Sequence, residues 1–156
     1  MKKITPCLWF DNNAEEAVDF YSSVFKDFRK KAVSHYGDHG PGPAGQVMTV
    51  EFEIFGQKFL ALNGGPQFRF NESVSFVVNC DTQEEVDYYW EKLSEGGEKS
   101  MCGWVKDRFG LSWQVTPTKI GGWLTNSPER SARVMEAVMK MDKLVIATLE
   151  KAYNGA

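Results

Sequence analysis

Histidine is scarce in this chain. His35 and His39 are the only two among 156 residues, and they are separated by a glycine-rich turn rather than set on one helix face. With Asp38 between them they read as solvated loop residues, because ligand pairing at a spacing of four needs helical geometry. Cysteine is sparse too: Cys7, Cys80 and Cys102 form an odd set with no pair at CxxC spacing, which excludes a disulfide framework or a structural zinc site. No apolar run is long enough to span a bilayer. The start, MKKITPCLWF, carries two lysines, but its apolar stretch stops at Asp11 without a small-residue cleavage site; a secretory signal is not expected, and a reducing cytoplasm is. A formal net charge of −3 gives no reason to expect nucleic acid or an acidic membrane as partner. The chain also lacks a glycine-rich strand-to-helix loop followed by an acid, the usual cradle for a nucleotide-type cofactor.

What is present is an internal duplication. DNNAEEAVDFY at 11–21 returns as NCDTQEEVDYY at 79–89, so that Val18-Asp19-Phe20-Tyr21 maps onto Val86-Asp87-Tyr88-Tyr89. Each copy follows an apolar run and precedes strand-like segments. Two similar modules imply a pseudo-symmetric fold whose cleft lies where the modules meet.

The first module reads as a strand over Ile4–Phe10, then a helix capped by Asn12 or Asn13, with Glu15 and Glu16 in its first turn. Its buried stripe is Ala14, Ala17, Val18, Tyr21, Val24 and Phe25. Phe28–Tyr36 reads as a strand and GDHGPGPAG at 37–45 as a loop. Val47–Ile54 alternates with period two, Phe55-Gly56-Gln57 turns, and Lys58–Asn63 returns. In the second module Val74–Val78 is a strand. Thr82 with Glu85 is a capping box, Val86, Tyr89, Trp90 and Leu93 form the helical stripe, and Gly96-Gly97 stops it. Glu98–Trp104, a short segment near Val105–Arg108, and Leu111–Thr116 follow as strands, with Phe109-Gly110 turning before the last. The expected fold class is α+β, two tandem βαβββ modules each with a curved mixed sheet, as one domain over 1–156: module one 1–66, module two 72–118, and a C-terminal helical extension 127–153. Ser127-Pro128-Glu129 starts that extension. Val134, Val138, Met141, Val145 and Leu149 lie on one face, with room for a break at Met141–Lys143. The face either covers the sheet or makes a dimer contact.

The βαβββ repeat, with GPGPAG, VMTVEFEIFGQKFLALNGGP and DRFGLSWQVTP, resembles the PhnB-like branch of the vicinal oxygen chelate superfamily, some of whose members carry the name 3-demethylubiquinone-9 3-methyltransferase. On these motifs the resemblance is expected to run through nearly the whole chain, C-terminal helix included. It implies an open barrel with a cleft. In enzymatic members of the superfamily a divalent ion sits there on His and Glu side chains from the first and last strands of each module. Carried over, those positions fall near Thr5, Pro6 or Cys7; at Asn63; near Ser73 or Ser75; and at Gln114. A dication needs charged or strongly donating ligands to offset its dehydration, and these side chains offer hydroxyl, thiol and neutral amide instead. The expectation is therefore no metal and no cofactor.

Two functions follow. One is a homodimeric module that binds a small, partly apolar organic molecule in a cleft lined by Thr5, Cys7, Asn63, Ser75, Ser112 and Gln114, with Trp9, Phe68, Trp104 and Trp113 as apolar walls. On the last strand Ser112, Gln114 and Thr116 form the polar face, opposite Leu111, Trp113 and Val115. The other is an enzyme of the superfamily: a metal-dependent lyase, isomerase or dioxygenase, or a metal-free acid–base catalyst using Glu51 or Glu53. Methyl transfer has no support in the residues.

Overall fold

The computed structural model describes residues 2–156. The chain falls into two compact units, one ending at Phe70 and the other running Asn71–Ala156. In the first unit β1 (Cys7–Phe10) leads to α1 (Ala14–Val24), then β2 (Phe28–His35), β3 (Val47–Ile54) and β4 (Gln57–Asn63). The second begins β5 (Ser75–Cys80), α2 (Gln83–Ser94), β6 (Glu98–Lys99), β7 (Trp104–Lys106) and β8 (Ser112–Pro117). The sheet orders are β1-β4-β3-β2 and β5-β8-β7-β6, the same topology twice. The first strand of each unit runs parallel to the last, and the other pairings are antiparallel. The duplication is thus a repeated mixed sheet backed by one helix, and the α+β class stands.

Each sheet buries one face under its helix. In the first unit Leu8, Phe10, Val50, Phe52, Phe59 and Ala61 meet Ala14, Ala17, Val18, Tyr21 and Val24. Phe52 is the hub: its ring stacks on Phe59 at 5.3 Å, Phe28 at 5.7 Å and Tyr21 at 6.2 Å. Burial of four rings dominates the energetics of this layer. In the second unit Val78, Leu111, Trp113 and Val115 face Val86, Trp90 and Leu93.

Several boundaries differ from the sequence reading. β1 starts at Cys7, because Pro6 has no N–H to give and contributes only its carbonyl, to Leu60 N. The expected strand over Glu98–Trp104 breaks after Lys99, since Cys102 and Gly103 take φ of 60° and 83° and turn the chain. Asn13 occupies the N-cap of α1 without a side-chain cap bond. The Thr82 cap forms as expected, its hydroxyl accepting from Glu85 N at 3.2 Å, while Glu85 reaches back to Asp81 N.

After β8 come α3 (Ile120–Thr125), α4 (Pro128–Val138) and α5 (Ile146–Asn154). Helix α3 was not anticipated, since six residues of IGGWLT have too short a period to read. The chain breaks between α4 and α5, and residues 139–145 form a strap. Trp123, Val134, Val138, Leu144 and Leu149 make a small core for these helices. Gln83 in α2 holds the strap with both ends of its amide, donating to Leu144 O at 3.1 Å and accepting from Ile146 N at 2.8 Å. Lys143 pairs with Asp87 at 2.8 Å. Met141 O and Asp142 O accept from Cys102 N and Gly103 N at 2.8 and 2.7 Å. The apolar face of α4 and α5 therefore packs into this core with Trp123 and Leu144, and it is the strap that meets α2 and the Cys102–Gly103 turn.

Asp107 sets the β7–β8 connection. It is buried, and one carboxylate oxygen accepts from Phe109 N and Leu111 N at 2.9 and 3.1 Å while the other accepts from Trp113 Nε1 at 2.9 Å. Replacing Asp107→Ala would leave three donors without their acceptor. We expect a loss of about 3 kcal/mol, given that hydrogen bonds to charged groups contribute roughly 1.5–3 kcal/mol. Urea unfolding of the variant should show this as a lower midpoint at unchanged slope.

Candidate functional site

Alternation along the strands decides which side chains can meet a ligand. On β8, Trp113 and Val115 face the helix with Leu111 just before them, and Ser112, Gln114 and Thr116 face away. Register places Ser75 beside Ser112 and Val77 beside Gln114, with Trp104 opposite Gln114 and Lys106 opposite Ser112. The open face of the second unit thus gathers four residues expected from sequence: Ser75, Trp104, Ser112 and Gln114. Gln114 Nε2 donates to Ser75 Oγ at 2.9 Å, which fixes the amide and turns its oxygen toward other donors. A cavity of about 350 Å³ opens here, with Trp104, Val105 and Met101 as apolar walls and Ser100 and Ser112 as polar points. At its edge Lys106 and Glu72 form an ion pair. The hydrogen bond and charge of Lys106 hold the Glu72 carboxyl below its usual range, and Glu72 in turn raises the lysine.

The first unit's open face carries Cys7 and Trp9 from β1, with Leu60 and Leu62 alongside on β4. Thr49 lies beside Leu62, Glu51 beside Leu60, and Glu53 beside Lys58. The two glutamates do share this face, but both are paired: Glu51 with Lys58 at 3.0 Å and Glu53 with Lys31 at 3.9 Å. Thr5 precedes β1 and is exposed. Trp9 and Phe68 do meet, edge to face at 5.0 Å. Trp9 is anchored by its Nε1–H to Gly65 O at 2.9 Å, and a Cβ at Gly64 would lie 2.4 Å from the indole. Glycine is obligatory there because the ring already fills the space.

Asn63 is the correction. It lies on the helix side of β4, in step with Phe59 and Ala61, not on the open face. Its Oδ1 accepts from Ala14 N at 2.8 Å and its Nδ2 donates to Val47 O at 3.0 Å. It therefore caps α1 in place of Asn13 and ties that helix to β3. The residue on the open face is its neighbour Leu62. Asn63 also borders a separate cavity of about 670 Å³ inside the first unit, between the start of α1, the Pro41–Val47 loop and Gly64–Gln67. Gly42 leaves no room there for a side chain against the Tyr36 ring, and the Tyr36 hydroxyl donates to Asn63 O.

The divalent ion implied by the resemblance does not fit these donors. The first unit offers a thiol and a leucine at the corresponding open-face positions, and the second a serine hydroxyl and an amide already bonded to it. Among the described residues no three His, Cys, Asp or Glu side chains converge on a point that could hold an ion. Sequence reasoning missed Asp107, Lys106 and Gln83. Asp107 read only as part of the short Val105–Arg108 strand, and nothing local marks the contacts of the other two with Glu72, Leu144 and Ile146, which lie far off in the chain.

Two measurements check this description. Replacing Asn63→Ala should lower stability by about 1–2 kcal/mol through loss of the cap and the Val47 bond, seen as an earlier thermal midpoint. Burial pushes the Cys80 thiol up to about 12, whereas Cys7 is raised from its ordinary value without being sealed off. Two thiols should therefore react with a disulfide reagent in the native protein at pH 8 and the third only in denaturant. A raised folded value favours the neutral thiol. Cys80's contribution to stability should thus be intact below about 8.5 and fade as pH climbs toward 12.

The comparisons with known proteins agree with the geometry. The model of the 3-demethylubiquinone-9 3-methyltransferase family matches residues 2–116. The PhnB protein of Bacillus cereus is 35% identical, over 74% of this chain and 99% of its own, with a TM-score of 0.67. A protein from Pseudomonas aeruginosa is 25% identical over 75% of this chain and 98% of its own, at a TM-score of 0.62. The fosfomycin resistance protein FosX of Listeria monocytogenes, at 17% identity, 72% and 87% coverage and a TM-score of 0.51, shares the fold. No curated protein sequence matches the chain. The family match stops at 116, so the expectation that the resemblance takes in the C-terminal helices is corrected: they lie beyond it. No described helix is long and apolar enough to cross a membrane. The chain belongs to the 3-demethylubiquinone-9 3-methyltransferase, or PhnB-like, family.

Proposed function

We propose that this protein binds a small, partly apolar organic molecule on the open face of its second unit, without a catalytic metal. The observation that carries the reading is the cavity of about 350 Å³ bounded by Trp104 and Ser112, on the face that also presents Ser75 and Gln114. An indole wall beside a few fixed polar groups is the usual make-up of a small-molecule site: the apolar surface supplies affinity and the polar points set orientation. Gln114 is held by Ser75 before any ligand arrives, so less side-chain freedom is lost on binding. The volume suits a ligand of one or two rings. Catalysis by Glu51 or Glu53 is disfavoured by their lysine partners, and the uncharged donors disfavour a superfamily metal reaction.

A thermal-shift screen of aromatic and heteroaromatic compounds tests the proposal. Some member should raise the melting temperature, with a shift undiminished by chelator. Trp104→Ala should weaken its binding by tenfold or more, given that an aromatic hot spot contributes about 2 kcal/mol. The proposal fails if no class of compound stabilises the protein, or if the purified protein carries near-stoichiometric zinc, manganese or iron removed by Gln114→Ala.

A further inference from the structure

Sulfur collects where the C-terminal strap meets the second unit. Cys102 Sγ lies 3.8 Å from Met139 Sδ. Met101 precedes Cys102 and lines the same cavity. Cys102 and Met141 both pack against the small core of the C-terminal helices. Two of these thioethers are open to solvent, Met101 at 54% and Met139 at 56% exposure, although methionine usually contributes by being buried. The thiol is held in place by backbone: φ of 60° at Cys102 is sustained by the bonds from Cys102 N and Gly103 N to Met141 O and Asp142 O. A left-handed non-glycine residue that costs energy, fastened so as to set a thiol against an exposed thioether, is a preorganised pair of soft donors.

We propose that Cys102 and Met139, with Met101 as third donor, form a binding site for a soft monovalent cation, Cu(I) or Ag(I). Thiolate and thioether ligands select such ions over harder ones. The separation fits: two sulfurs each about 2.3 Å from one ion and 3.8 Å apart subtend about 110° at it. That angle leaves a side free for Met101, whose unbranched chain can swing inward. One thiolate balances one positive charge, whereas a dication would be left half-neutralised. Loading forms a sulfur–metal bond at Cys102 and releases its thiol proton to solvent, with no change in oxidation state. Of the three donors only Met139 lies on the extension beyond the family match, while Met101 and Cys102 lie within it; the site shares no donor with the superfamily's metal positions.

The test uses full-length, reduced protein carrying Cys7→Ser, which removes the other accessible thiol. Anaerobic titration with Cu(I) against bicinchoninate should show uptake of about one ion. Met139→Leu, nearly isosteric, should weaken it at least tenfold, and Cys102→Ser at least a hundredfold, while Met48→Leu changes nothing. X-ray absorption at the copper edge should find two or three sulfur neighbours. Equal affinity for Met139→Leu and its parent, or a single sulfur neighbour, would overturn the proposal, as would uptake that survives Cys102→Ser. Should Cys102→Ser fail to fold, the Met139→Leu titration and the neighbour count decide alone.

Discussion

Alternation along the last strand of each sheet governs everything the two units present. Side chains on β4 and β8 belong either to the helix-backed core or to the open face, and a shift of one residue exchanges the two. Parallel pairing sets the register: Leu60 lies beside Cys7, and Ser112 beside Ser75. Since Cys7 and Ser75 are equivalent in the duplication, Leu60 corresponds to Ser112 and Leu62 to Gln114, while Asn63 corresponds to Val115. The same backbone scaffold therefore carries an apolar open strand in one unit and a polar one in the other. The duplication has kept its architecture and diverged in its chemistry.

Where several weak signals agreed, the fold was legible. Val47–Ile54 has period-two alternation, β-branched and aromatic residues and a following turn, and the strand occupies those bounds. The buried stripe of α1 was readable for the same reason. Ser75, Trp104, Ser112 and Gln114 were legible as a group because β8 alternates cleanly. Asn63 was not: it ends β4 beside Gly64-Gly65, and family analogy assigned it a role that its parity forbids. A polar residue at a strand end can serve a helix start 49 positions earlier, and no local pattern reports that. The break at Cys102-Gly103 was hidden similarly. Its φ values are held in place by carbonyls of the strap, a tertiary contact overriding the strand propensity of the flanking segment.

The C-terminal extension illustrates how an added segment acquires a fixed place. Its helices bury a core of their own, led by Trp123 and Leu149, yet a cluster that small contributes little independent stability. Docking comes from polar contacts that are specific rather than extensive: the Gln83 amide bonded to Leu144 O and Ile146 N, the Lys143–Asp87 pair, and two strap carbonyls that accept from Cys102 N and Gly103 N. The Gln83 bonds matter most, because their loss would leave partly buried polar groups unpaired, whereas Lys143–Asp87 is a more exposed pair of small worth. The Asp87 carboxyl is held below its usual range chiefly by its hydrogen bond from Lys143. That small contribution is present at neutral pH and disappears as the carboxyl is protonated in acid.

Charge arrangement bears on what the second unit's open face can accept. Its cavity contains Lys106, but the cation is matched by Glu72 at the rim and drawn further by the field of Glu98. An anionic ligand would have to compete with a carboxylate already in place, and a cationic one would meet a lysine. Neither net charge would be rewarded, so on the proposed reading selectivity would fall to shape, to the Trp104 face and to the hydroxyls of Ser100 and Ser112. A neutral ring system bearing one hydrogen-bonding group meets those conditions at the lowest desolvation cost. A dication needs anionic donors aimed at one point, and at this cavity the Glu72 carboxylate is committed to Lys106 at the rim.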